Sequence, residues 1–110
     1  MAGTACKLVT ENEFVLAASN GVIEIVRRGL DQSPPVNINC KDWMGDSPLH
    51  NSLKYGQEDV TSLLLRQPSP NRANVNLLNK HEQTPLYDAV YWGSSFLTWS
   101  LLLEAKADIN

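Results

Sequence analysis

Ser47-Pro48-Leu49-His50 and Thr84-Pro85-Leu86-Tyr87 stand 37 residues apart, and each opens the same downstream order. A small or apolar pair follows (Ser52-Leu53, Ala89-Val90), then a glycine (Gly56, Gly93), then a leucine-rich run (Leu63-Leu64-Leu65, Leu101-Leu102-Leu103). Each unit closes on a short triplet, Asn74-Val75-Asn76 in one and Asp108-Ile109-Asn110 in the other. A period of this length marks a stacked repeat protein, in which each unit buries its faces against its neighbours. Such a stack offers no obvious catalytic pocket. The functional question becomes what the chain holds.

Alignment on the glycines exposes a degenerate first copy. Phe14, Ala17, Ala18 and Gly21 keep the spacing of Leu49, Ser52, Leu53 and Gly56, and of Leu86, Ala89, Val90 and Gly93. Residues at i, i+3, i+4 and i+7 form one face of a short helix. Small residues on that face let a neighbouring helix approach, and the closing glycine takes a positive φ at little steric cost. A second helix follows each turn. Its apolar stripe is expected at Val22, Ile25, Val26, Gly29 and Leu30, then at Val60, Leu63 and Leu64, then at Phe96, Trp99, Leu102 and Leu103. Ser47 and Thr84 are placed to cap the first helices, and Pro48 and Pro85 to occupy the first helical position, where no donor is lost. Turn-rich links run from Val36 through Gly45 and from Ala73 through Gln83.

Bulk properties narrow the function classes. The 110 residues allow one domain, and a 43% hydrophobic content is near the globular norm. A net charge of −3 argues against a nucleic-acid backbone or an anionic membrane as the main partner. No run of 18 apolar residues is present to span a bilayer, and Met1 to Glu11 lacks a signal-peptide apolar core. Cys6 and Cys40 have no metal-ligand spacing, so two reduced thiols in a cytoplasmic or nuclear protein are expected.

The chain resembles an ankyrin-repeat domain. Asp42, Gly45, Ser47, Pro48, Leu49, His50 and Gly56 match the family pattern in one repeat, and Thr84, Pro85, Leu86, Ala89, Gly93, Ala107, Asp108, Ile109 and Asn110 match it in the next. The resemblance implies an all-α solenoid of stacked helix-turn-helix pairs joined by extended, hairpin-like β-turn links. The expected repeats run over about 12–42, 43–79 and 80–110, after a flexible N-terminal segment, 1–11. The first copy lacks the Thr-Pro-Leu-His motif, and Arg28 and Gly29 stand where the family has leucines, which suits a water-facing cap. Ser33-Pro34-Pro35 and Pro68-Ser69-Pro70-Asn71 lengthen the links. Residues around Gly93-Ser94-Ser95 are expected to offset the third helix pair by about one position. The pattern stops at Asn110 where the family begins another link, which favours a fragment of a longer array.

Candidate sites divide into structural and binding residues. His50 has no second ligand at metal spacing, and the resemblance implies that it hydrogen-bonds the inter-repeat turn. Ser47 is explained by capping, Cys40 by packing, and Arg27-Arg28 by a solvated helix face. Nothing in the chain forms a nucleophile-base pair or a Gly-rich phosphate loop, so no enzymatic activity and no cofactor are expected. Tyr55, Tyr91 and Trp92 end the first helices on the expected concave side, while Trp43, Met44, Lys80 and His81 lie at the link tips. Side chains of these types are enriched where proteins dock. Asp46, Lys54, Lys80, Glu82 and Asp88 would supply a charged rim. These aromatics also fit packing across neighbouring repeats, the role expected of Tyr87 and Trp99. The leading function is protein-protein binding, with no small-molecule substrate and no membrane insertion. The alternative is the regulatory portion of a larger enzyme, ubiquitin-ligase substrate receptor or channel.

Overall fold

The computed structural model describes residues 8–67, 72–93 and 96–104, with residues 96 and 97 described by backbone only. It carries six helices: α1 (Glu11–Asn20), α2 (Ile23–Asp31), α3 (Pro48–Lys54), α4 (Glu58–Leu65), α5 (Pro85–Trp92) and α6 (Phe96–Glu104). Helices α1, α3 and α5 pack in one inner row and α2, α4 and α6 in an outer row, each pair leaning on the next. The molecule is elongated, 52 × 26 × 23 Å. No strand occurs among the described residues, and the links are tight turns.

Each inner helix begins where the sequence places a cap, but the three caps differ. Thr10 Oγ1 accepts from the Glu13 N–H (3.2 Å) while Glu13 accepts from the Thr10 N–H (3.0 Å), a reciprocal box. Ser47 builds the same box with His50 in place of the glutamate: Ser47 Oγ accepts from the His50 N–H (3.2 Å) and the Ser47 N–H donates to His50 Nδ1 (3.3 Å). Thr84 accepts from the Tyr87 N–H (3.3 Å), and a tyrosine ring returns no bond to its backbone. Helix α1 starts at Glu11, and the Gln32 side chain clamps Val9 from both sides, accepting from its N–H (2.7 Å) and donating to its C=O (3.0 Å). The end of the segment 1–11 therefore belongs to the packed unit, because Val9 is buried on it.

The core is one continuous cluster running along both rows, from Phe14, Ala18 and Val26 through Leu49, Leu53, Val60 and Leu64 to Ala89, Leu101 and Leu102. Its outer stripe keeps the expected Val26, Gly29, Val60, Leu64 and Leu102 and differs at the other positions. Ile25, Leu30, Leu63 and Trp99 lie half-buried against it, and the Phe96 side chain lies outside the described residues. Val26 and Gly29 carry it in α2, with Val22 exposed; Val60, Thr61, Leu64 and Leu65 carry it in α4; Thr98, Leu101 and Leu102 carry it in α6, with Leu103 exposed. Thr61/Thr98, Leu64/Leu101 and Leu65/Leu102 keep the 37-residue spacing of the inner helices. No offset separates the second and third helix pairs across these described positions. The threonines lie outside the expected stripe because a hydroxyl reads as polar, yet Thr61 buries its own by bonding Ser52 Oγ (2.7 Å) and the Gln57 C=O (3.1 Å).

The links repeat at the same spacing. Asn37 and Asn74 each turn the chain by accepting from the N–H two residues on, at 3.0 and 2.9 Å. Asp42 accepts from the N–H groups of Met44 and Asp46 (both 2.9 Å), and Asn79 from those of His81 (2.9 Å) and Gln83 (3.0 Å). Asn39 ties one link to the next, accepting from the Asn74 N–H at 2.7 Å.

Candidate functional site

His50 is fully buried at the seam between the second and third repeats. Its Nδ1 faces the Ser47 N–H and lies 2.8 Å from Ser47 Oγ, while Nε2 lies 2.8 Å from the Gln83 C=O. A carbonyl only accepts and an N–H only donates, so Nε2 carries the proton and the ring is neutral. Burial lowers its pKa below the ordinary 6.5, against the pull of the Gln83 carbonyl. Every ring nitrogen is engaged, and the residue is a staple between repeats. Among the described residues no group of three or more histidines, cysteines or carboxylates is placed to hold a metal. Cys40 is buried, and that burial pushes its thiol up to about 11, so it stays protonated.

Two of the expected rim carboxylates are not on the rim. Asp46 is buried and accepts from Asn79 Nδ2 at 3.0 Å, joining one link to the next. Asp88 is only 5% exposed on α5, at the position Asn51 holds on α3. Asn51 donates to Asp42 there (3.1 Å), whereas no hydrogen bond from the described residues reaches the Asp88 carboxylate. Burial and the neighbouring Asp46 raise its carboxyl to about 6, against the attraction of Lys54. Both carboxylates leave the candidate surface because the helix and link positions that carry them point into the stack.

The aromatic residues sort by position once the inner helices are laid over one another. Asn20, Tyr55 and Trp92 occupy one equivalent position, and all three are exposed whatever their place in the row. Tyr87 and Val90 behave differently. They are 46% and 57% exposed, while their equivalents His50 and Leu53 are 0% and 2% exposed under the next repeat. Tyr55 and Trp92 therefore belong to a surface running along the array, and Tyr87 and Val90 to its open third-repeat face. Tyr91 bridges the two, stacked on Tyr87 (6.0 Å between ring centres) and edge-on to Trp92 (4.9 Å). Packing was expected of Tyr87, yet its ring is about half in water.

The link tips place Trp43 87% exposed, with Lys80 Nζ 6.0 Å from its ring centre and 3.9 Å from Met44 Sδ. His81 is exposed beside them. Lys54, expected at the rim, has its ammonium 5.6 Å from the Tyr55 ring centre and 6.0 Å from the Trp92 ring centre. The sequence carries a signal for this grouping, since Tyr55 and Trp92 are 37 residues apart and Lys54 precedes one of them.

A family model described as ankyrin repeats (3 copies) matches residues 14–110. The chain belongs to the ankyrin-repeat family. Proteins of this family generally bind other proteins and are generally non-catalytic. The ankyrin chain is 37% identical over 68 residues to human short transient receptor potential channel 3, covering 62% of this chain and 7% of that protein. It is 35% identical over 76 residues to human oxysterol-binding protein-related protein 1, covering 69% of this chain and 8% of that protein. A Schizosaccharomyces pombe ankyrin repeat-containing protein is 28% identical over 72 residues, covering 66% of this chain and 32% of that protein. The ankyrin chain thus spans under a tenth of the two human relatives. No helix among the described residues is long and apolar enough to cross a membrane.

Proposed function

We propose that this ankyrin stack is a non-catalytic docking module that holds another protein across Tyr55, Tyr91 and Trp92, extended by the link-tip residues Trp43, Met44, Lys80 and His81. The observation that carries the reading is the continued exposure of Tyr55 and Trp92 at equivalent positions, Tyr55 remaining in water although the third repeat covers His50 and Leu53 on the same helix. Exposed aromatic clusters beside a rigid core are typical of partner surfaces. The buried Ser47-His50 pair favours a non-catalytic role, since both ring nitrogens of His50 are engaged and the Ser47 hydroxyl is enclosed as the cap of α3. The thiol of Cys40 suits a reducing compartment, cytoplasmic or nuclear.

Alanine in place of Trp43, Tyr55 or Trp92 tests it. Each change is expected to weaken a partner captured from native cells by about tenfold or more, which is about 1.4 kcal/mol. The melting temperature should move by less than about 3 °C. Loss of the fold with unchanged affinity in the remaining folded fraction would return these residues to the core.

A second reading draws on the open face at Tyr87 and Val90. We infer that this face suits another helix pair, which would make the chain the ankyrin portion of a larger protein. The small share of the two human relatives that it spans supports that reading. A longer chain in which Tyr87 and Val90 remain solvent-accessible would count against it.

A further inference from the structure

We propose that the surface around Tyr55 and Trp92 selects an acidic protein segment that carries an apolar side chain among its carboxylates. The proposal rests on the docking reading above and names the chemistry of its occupant.

Lys54 decides the charge. Its ammonium lies within 6.0 Å of both ring centres, so the aromatic pair already holds a cation from its own chain. An incoming lysine or arginine would meet a filled cation-π position and a like charge. A carboxylate would meet the ammonium, while an adjacent apolar side chain covers the rings.

The link tips repeat this arrangement. Lys80 lies over Trp43 and against Met44, and Lys41 donates to the Leu78 C=O at 2.8 Å, leaving each ammonium further donors. The nearby carboxylates point the other way. Asp42 accepts from Met44, Asp46 and Asn51, Asp46 accepts from Asn79, and Asp88 is buried. The exposed anions nearby are Glu82 on the link and Glu58, which lines a cleft with Trp92. Ammonium groups and rings therefore face outward here while most carboxylates face inward, although the whole chain is acidic.

Selection of a random heptapeptide library on the folded chain tests the idea. The expected pool is acidic, with an apolar residue between carboxylates. Its binding should fall about tenfold for Lys54→Glu and for Trp92→Ala, and weaken with added salt. Circular dichroism on each variant establishes that it is folded, and Lys54→Met serves as a milder second variant. A pool that needs Tyr55 and Trp92 but is neutral or basic would overturn the acidic occupant and leave the docking surface standing. Enrichment that ignores Tyr55, Trp92 and Lys54, or no enrichment at all, would overturn both. A short oligothymidine that binds with the same dependence on Lys54 and Trp92, while no acidic peptide does, would make the surface a nucleic-acid site and end the proposal.

Discussion

Helices α3 and α5 are built from nearly matching motifs, yet among the described residues one has neighbours on both sides in the inner row and the other on one. On α3, His50 and Leu53 are covered by the third repeat; on α5, their equivalents Tyr87 and Val90 are about half exposed. The caps follow the same division. Ser47 and His50 form a closed loop of bonds that continues to Gln83, whereas Thr84 makes a single bond to Tyr87. Even the link turns differ: Gly45 takes φ 79° in one, and Glu82 takes φ 60° at the same position in the next. A Cβ on Gly45 would lie 2.8 Å from the Lys80 backbone nitrogen, so glycine is required there by the neighbouring link as well as by φ. The contrast teaches that a repeat motif acquires its energetic weight from the repeat placed against it.

The largest test compares Leu53→Ala with Val90→Ala. Truncating the enclosed leucine should lower stability by about 3 kcal/mol, and the same change at half-exposed Val90 by less than about 1 kcal/mol. Denaturant titration of both variants measures it, and equal losses would break the comparison.

His50→Ala should follow, at about 2 kcal/mol, because it strands the Gln83 carbonyl and unpicks the Ser47 box. Tyr87→Ala should lower stability by less than about 1 kcal/mol. A thermal melt of the pair gives the ranking, and a larger loss at Tyr87 would mean that its ring is packed after all.

Asp88 sharpens the comparison through pH. Its folded carboxyl is raised from the ordinary 3.8 to about 6, so the stability it contributes is fully present below 3.8 and is lost as pH rises to about 6. Asp88→Asn should remove that decline, leaving a flatter stability curve across this window. His50 acts with the opposite sign. It is held neutral, so stability falls as pH drops below 6.5, where the unfolded chain takes up a proton that the folded ring resists. Unchanged slopes in Asp88→Asn would show that the carboxylate is solvated.

Glu82→Gly is the smallest test. Relieving a left-handed non-glycine residue should raise stability by about 0.5–1 kcal/mol, read as a small rise in melting temperature. No gain would mean that the Glu82 side chain returns in contacts what its backbone loses.

Much of the architecture was legible because it rests on local chemistry. Ser47, Pro48 and Thr84 announce helix starts through their own donors and acceptors, and Gly21 and Gly93 announce helix ends through φ. The outer stripe was legible only in part, since Thr61 and Thr98 read as polar until a buried partner is known. Asp46 and Asp88 misled for a related reason. A carboxylate on a short helix or link reads as surface, and only the adjacent link shows that Asp46 answers Asn79.

Spacing and residue type alone determined the period, the starts of α3 and α5, the turn glycines and the family resemblance, because these depend on interactions within a few residues. Only the tertiary structure decided which copy of each position meets water and that Lys54 lies between Tyr55 and Trp92. Burial is a property of the neighbouring repeat, and the exposure of one repeat's face is not written in that repeat's own residues.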